Sequence, residues 1–326
     1  MGGILKFRRC RCRFLAALLS TGAVVVAITA ARGQTPGGQN VDRAQLLRNQ
    51  TLMHSDPYSS ENGVEDGYAV ETPNDPDLGE QQILKRIERY EPFSVSIATP
   101  FYYTSNVALA NSGARGDVLV APAAGVTYAP QFSRTFFGAF TVQQQSFYYD
   151  RYSALDFGSF DFRAGLVYIV PKLHNLMLRG EYDYNRLTFS NSFNEFFSNH
   201  SLFVSAELPF RIGRAQQFSL GTDANLSVHA EPAPPRRHEF DFYAGYAVRL
   251  TRSFSLDAVG RIFVRDYYTA DRTDVSEVFA LTANYRVTKC FSASAASTFA
   301  WSQSNKSVFD YKVANIGGAL SLNFRF

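Results

Sequence analysis

The sequence predicts an all-β protein, an antiparallel up-and-down transmembrane β-barrel of about twelve strands behind a mostly irregular N-terminal extension. Three observations predict it. Between Phe93 and Phe326 apolar and polar residues alternate with a period of two in one segment after another. The connections between those segments alternate between tight turns and longer polar loops, and aromatic residues gather at both ends of the segments. The 326 residues are 46% hydrophobic, 15% aromatic and 19% charged, which excludes collagen and a wholly disordered chain. No apolar run beyond the N-terminus is long enough for a membrane helix.

The first element, residues 1–31, reads as a signal peptide. The basic stretch KFRRCRCR leads into FLAALLSTGAVVVAITA and then the small residues Thr29, Ala30 and Ala31. Cleavage there removes five of the 32 Lys and Arg residues and none of the 29 acids, so the net charge changes from +3 to about −2. No nucleic-acid partner is implied by such a balance. Cys10 and Cys12 leave with the peptide, Cys290 remains alone, and no intramolecular disulfide is expected.

The second element, residues 32–92, is acidic and poor in aromatics. Positions 33–92 hold eleven acids, five bases and three tyrosines (Tyr58, Tyr68, Tyr90), too little apolar surface for a core of their own. Within EQQILKRIERY, Ile83, Ile87 and Tyr90 stand at i, i+4, i+7, which predicts one short amphipathic helix near 80–90, just before Pro92. Two roles stay open for this extension: a tethered lead-in, or a plug that docks at or inside the domain that follows.

The third element, residues 93–326, carries 43 of the 48 aromatic residues. In LRGEYDYN, Leu178, Gly180, Tyr182 and Tyr184 alternate with Arg179, Glu181, Asp183 and Asn185, and FDFRAGLVYIV, LFVSAELPF, FDFYAGYAVRL and FSLDAVGRIFV repeat the pattern. Division at turn signals predicts strands near 93–105, 117–130, 135–151, 157–171, 176–189, 197–212, 217–230, 239–251, 253–268, 275–288, 290–302 and 311–326. Phe93, Phe132, Phe210 and Phe254 on the tight-turn side, and Tyr103, Tyr148, Tyr268 and Trp301 on the loop side, form two candidate interfacial girdles. A soluble sandwich also alternates. The export signal, the asymmetry of the connections and the C-terminus favour the membrane barrel.

The chain ends in GGALSLNFRF, where Leu320, Leu322, Phe324 and Phe326 alternate to a terminal Phe. This resembles the C-terminal insertion signal of bacterial outer-membrane β-barrel proteins of the porin-like class, with Ser321 where a Gly is common. The resemblance implies a Gram-negative cell outer membrane, contact with its lipid, and insertion by the barrel-assembly machinery. An even number of strands then places both barrel ends, and the acidic extension, on the periplasmic side.

With apolar residues toward lipid, the inward set is charged, and Arg163, Glu181, Asp183, Asp223, Arg261 and Arg265 are its candidate constriction residues. They predict a narrow passive channel for small polar or charged solutes, without cofactor or chemical step. The alternative is a closed structural or interaction barrel, its lumen charges paired and its extension acting as anchor, plug or contact for a periplasmic partner. A rim hydrolase is the weakest reading: His200 and Ser201 are neighbours on a strand and point to opposite faces. His200, His229 and His238 fall at loop ends of consecutive strands and form a weak metal candidate, outweighed by solvated loop histidines because no short ligand spacing joins them. Arg115-Gly116-Asp117 in the first long loop has the form of an adhesion tripeptide, a pattern common by chance.

Overall fold

The structure, a computed structural model, describes residues 41–47 and 92–326, apart from positions 134, 213, 214, 252 and 270. The signal peptide and the helix expected near 80–90 lie outside the described residues. Thirteen strands follow in order: β1 (Phe93–Thr104), β2 (Asp117–Val120), β3 (Ala123–Tyr128), β4 (Phe136–Tyr149), β5 (Phe157–Val170), β6 (Leu176–Phe189), β7 (Glu195–Ile212), β8 (Gln216–Glu231), β9 (Arg237–Arg249), β10 (Phe254–Tyr267), β11 (Arg272–Arg286), β12 (Phe291–Ser304) and β13 (Tyr311–Arg325). Each pairs antiparallel with its neighbour, and β13 returns to β1 from Ser94↔Arg325 to Thr104↔Asn315, so the sheet closes.

The barrel has twelve staves because β2 and β3 are two pieces of one. Both pair with β1 on one side and β4 on the other. The interruption is Ala121-Pro122, where proline has no N–H to give the ladder. The rungs around it survive: the Ala121 N–H donates to the Pro100 carbonyl at 2.8 Å, and the Ser146 N–H to the Pro122 carbonyl at 3.0 Å.

The connections after β3, β5, β7, β9 and β11 share one rim with the start of β1 and the end of β13, here the turn end. Those after β1, β4, β6, β8, β10 and β12 form the other rim, the loop end, which includes the longest connection, 105–116.

Burial alternates along each stave, and in the sense opposite to that of a soluble barrel. On β11, Arg272, Asp274, Ser276, Val278, Ala280 and Thr282 are buried while Val275, Phe279 and Leu281 are exposed. Elsewhere Asp161 and Asp241 are each 1% exposed, whereas Phe242 is 60% and Ile316 62% exposed. A continuous apolar exterior around a polar interior is stable against hydrocarbon and not against water. The structure is therefore a transmembrane β-barrel.

The interior has two kinds of wall. Staves β5 to β11 face inward with charged and amide side chains, while β12 and β1 face inward mainly with Ser, Ala and Thr; Ser292 of β12 meets Ser321 of β13 through their hydroxyls at 2.7 Å. Small residues also give rings room. A Cβ on Gly221 would stand 2.1 Å from the Tyr243 ring, so the ring lies over the glycine of the neighbouring stave and its hydroxyl reaches the Glu207 carboxylate at 3.1 Å.

Candidate functional site in the barrel lumen

Residues 41–47, VDRAQLL, are helical and sit inside the barrel at its loop end (α1). Ala, Gln and Leu favour a helix, and its described residues are held by the surrounding barrel wall. Val41, Ala44 and Leu47 pack with Leu119, Phe147, Phe157, Leu187, Phe197 and Ala230. Leu46, on another side, packs with Leu109, Phe263, Val278, Ala300, Tyr311 and Val313. The Phe147 and Phe157 rings stack at 4.2 Å beside it. Apolar contacts on several sides hold α1 in the loop-end mouth.

The polar residues of α1 each meet a built partner. The Asp42 carboxylate takes hydrogen bonds from Arg237 and from the Tyr267 hydroxyl (2.9 Å) on one oxygen and from Arg272 (3.1 Å) on the other. The Gln45 amide donates to Asn185 Oδ1 at 3.0 Å, and Asn185 in turn donates to Asp161 at 2.8 Å. Arg43 donates to the Leu155 carbonyl at 3.2 Å and lies 5.4 Å from the Tyr149 ring centroid. Burial lowers the Arg43 pKa. In the adjoining loop, burial pushes the Asp156 carboxyl up, against the opposing pull of the Tyr149 N–H it accepts and of Arg43.

Ion pairs join this mouth to the wall below it. Arg237 also bonds Glu239 at 2.6 Å, Glu239 lies 3.3 Å from Arg265, and Arg265 donates to Ser276 at 2.7 Å. Arg272 is held by both oxygens of Asp274 and stacks 3.7 Å from the Phe309 centroid. The connected set contains three guanidinium groups (Arg237, Arg265, Arg272) and two wall carboxylates (Glu239, Asp274), and Asp42 supplies the third.

The six constriction candidates all lie on staves that face this lumen, in different company. Arg261 bridges Asp241 (2.7 Å) and Asp223 (3.5 Å) and lies 5.0 Å from the Tyr243 ring centroid. Arg265 belongs to the mouth network. Glu181 lies 3.6 Å from Arg179, and Asp183, opposite Arg163 in the ladder, is buried. Arg163 is half-buried and makes no ion pair among the described residues.

The histidines lie elsewhere. The Tyr182 hydroxyl bonds His200 Nδ1, the His229 ring stands 6.0 Å from that of His200, and His238 Nε2 bonds the Tyr268 hydroxyl at 2.6 Å. Among the described residues no group of three His, Cys, Asp or Glu is placed to hold a metal ion. Ser201 is buried and donates to the Asp183 carbonyl at 3.4 Å, while His200 bonds Tyr182 at an exposed position, so the two do not meet. Asp117 is buried too, its carboxylate accepting the N–H groups of Arg151 and Tyr152, which leaves no free adhesion tripeptide.

Sequence reasoning missed Asp42, Arg237 and Arg272. EPAPPRRH and ADRTDV read as loops, whereas β9 begins at Arg237 and β11 at Arg272, two and three residues earlier than expected. The signal for α1 was slight: Val41, Ala44 and Leu47 at i, i+3, i+6, with Leu46 beside them, in an otherwise polar stretch.

The fold has relatives among solved structures. An outer membrane channel from Pseudomonas putida F1 superposes with a TM-score of 0.54 at 10% identity, over 73% of this chain and 98% of that one. The translocator domain of the autotransporter NalP from Neisseria meningitidis gives 0.46 at 12% identity, over 89% and 98%. Neither a family model nor a curated protein sequence matches the chain. The fold class is thus that of outer-membrane β-barrels, the class to which the Pseudomonas channel belongs.

Proposed function

We propose that the protein is a bacterial outer-membrane channel for small polar solutes, closed at rest by its own residues 41–47. One observation carries the reading: α1 fills the loop-end mouth of a closed barrel whose inner wall is otherwise polar. In this reading the turn end, with Phe93 beside Phe326, faces the periplasm, and passage needs no chemical step. Arg163, without an ion pair among the described residues, is the mid-depth cation left to meet a solute.

A second reading, a closed anchoring barrel, is favoured by the pairing of Arg261 with both Asp223 and Asp241. Planar-bilayer recording separates the two. Ala44 has no exposed surface, so Ala44→Glu forces a carboxylate into packed apolar contacts and unseats α1. The channel reading expects rare openings from the full-length mature protein and sustained current steps from Ala44→Glu. Silence from the variant, with circular dichroism still showing a folded β-protein, would leave the anchor.

A further inference from the structure

The mouth network contains a binding site that the protein itself occupies. We propose that Arg237, Arg272 and Tyr267 form a carboxylate site, that Asp42 fills it as an internal surrogate, and that a carboxylate-bearing solute entering from the loop side displaces Asp42 and releases the stopper. The proposal rests on the channel reading above and gives it a ligand class and an opening step.

Three features of the site support it. The donors converge as a carboxylate requires: Arg237 and the Tyr267 hydroxyl serve one oxygen and Arg272 the other, and all three residues are at most 8% exposed. These donors are held without help from α1. Glu239 fixes Arg237, Asp274 fixes Arg272, and the Tyr267 and Phe309 rings lie under the Arg272 guanidinium at 4.1 and 3.7 Å, so the site keeps its shape when Asp42 leaves. Charge also asks for an anion there. Three guanidinium groups share two wall carboxylates in the ion-paired set, so withdrawal of Asp42 leaves Arg237 and Arg272 each with one carboxylate partner instead of two.

The position fits access from the loop side. Arg237 and Arg272 are the first residues of β9 and β11, directly below the loops 232–236 and 268–271. Asp42 itself keeps 12% of its side chain exposed, so the pairing to be broken is not fully sealed. A carboxylate in that mouth competes for the same donors, and α1 has only one such anchor.

The test uses the full-length mature protein in two measurements. In the first, Asp42→Ala leaves a space the size of a formate ion between the two guanidinium groups. Binding of carbon-13 formate to this variant, read as NMR line broadening at millimolar concentration, is expected, together with its loss in Asp42→Ala/Arg272→Gln. Broadening that is absent, or that persists in the double variant, overturns the site. In the second, acetate replaces chloride at equal ionic strength in one chamber of a bilayer holding the wild-type protein. Acetate on the loop side is expected to raise the open probability several-fold, and acetate on the turn side to leave it unchanged. Equal effects of acetate and chloride overturn the release step. The Ala44→Glu channel, recorded in parallel, separates this failure from failure of the channel reading: if it conducts while wild type ignores acetate, only the carboxylate inference falls.

Discussion

Arg261 and Arg163 face the same lumen with different consequences. Arg261 lies against two carboxylates, so Arg261→Met would leave Asp223 and Asp241 facing each other without their shared ion-pair partner. Breaking a buried pair in this way costs about 3–5 kcal/mol. The expected outcome is a lower urea midpoint for folding into lipid vesicles, and a change of ion selectivity is secondary. Arg163 has no such tie among the described residues. Arg163→Gln in the Ala44→Glu background is expected to keep the midpoint of the Ala44→Glu parent and to move the reversal potential in a salt gradient toward cation selectivity. The period of two was enough to place both arginines inside. It did not reveal which carboxylate each would meet, because the partners of Arg261 lie on β8 and β9, and alternation along one strand says nothing of side-chain reach across two.

At the scale of elements, the staves were legible and the stopper was not. Each stave declares itself through a local pattern, and the expected strands at 157–171, 176–189 and 253–268 match β5, β6 and β10 to within a residue or two at either end. The expected strand 117–130 divides, because Pro122 interrupts a ladder that the apolar pattern runs straight through. α1 carries almost no pattern of its own, since its apolar partners are scattered from Val107 to Val313 and come together only in the closed barrel. Its seating can be tested by tying it down. Gln45 and Asn185 touch through their side chains at 3.0 Å. In a Cys290→Ser background, Gln45→Cys with Asn185→Cys is expected to react with a short bifunctional thiol reagent as an intramolecular bridge, after which bilayer currents disappear. Bridging between chains, seen as a dimer on a denaturing gel, would place 45 away from 185.

For the whole molecule, closure depends on the last stave. The Phe326 N–H donates to the Phe93 carbonyl at 2.9 Å, the Phe93 N–H returns to Phe326 at 3.3 Å, and the two residues finish the ladder between β13 and β1. Leu320 is exposed on the outer side of that ladder, and Leu322 and Phe324 continue its alternation. Deletion of Phe326 removes both end rungs and the terminal aromatic ring. The expected outcome is a several-fold smaller protease-resistant, membrane-integrated fraction, with the protein that does integrate still folded. The barrel class itself was readable because inward polarity and outward apolarity obey one rule along every stave, and a rule repeated twelve times survives local errors at the strand ends.

The stopper also imposes an order of events on biogenesis. Residues 41–47 precede β1 in the chain, and the seam that encloses them is sealed by β13, which follows every other stave in the sequence. While the seam is unzipped, the nascent sheet is a trough, and α1 can settle into it sideways, gathering Phe147, Phe157 and Phe197 around itself as the staves curl. Once β1 and β13 are joined, the same segment can enter only lengthwise, past a ring of side chains already paired with one another. A chain whose seam seals before α1 has docked is therefore expected to leak, and dye release from vesicles during refolding of Ala44→Glu, set against wild type, is the measurement that checks it.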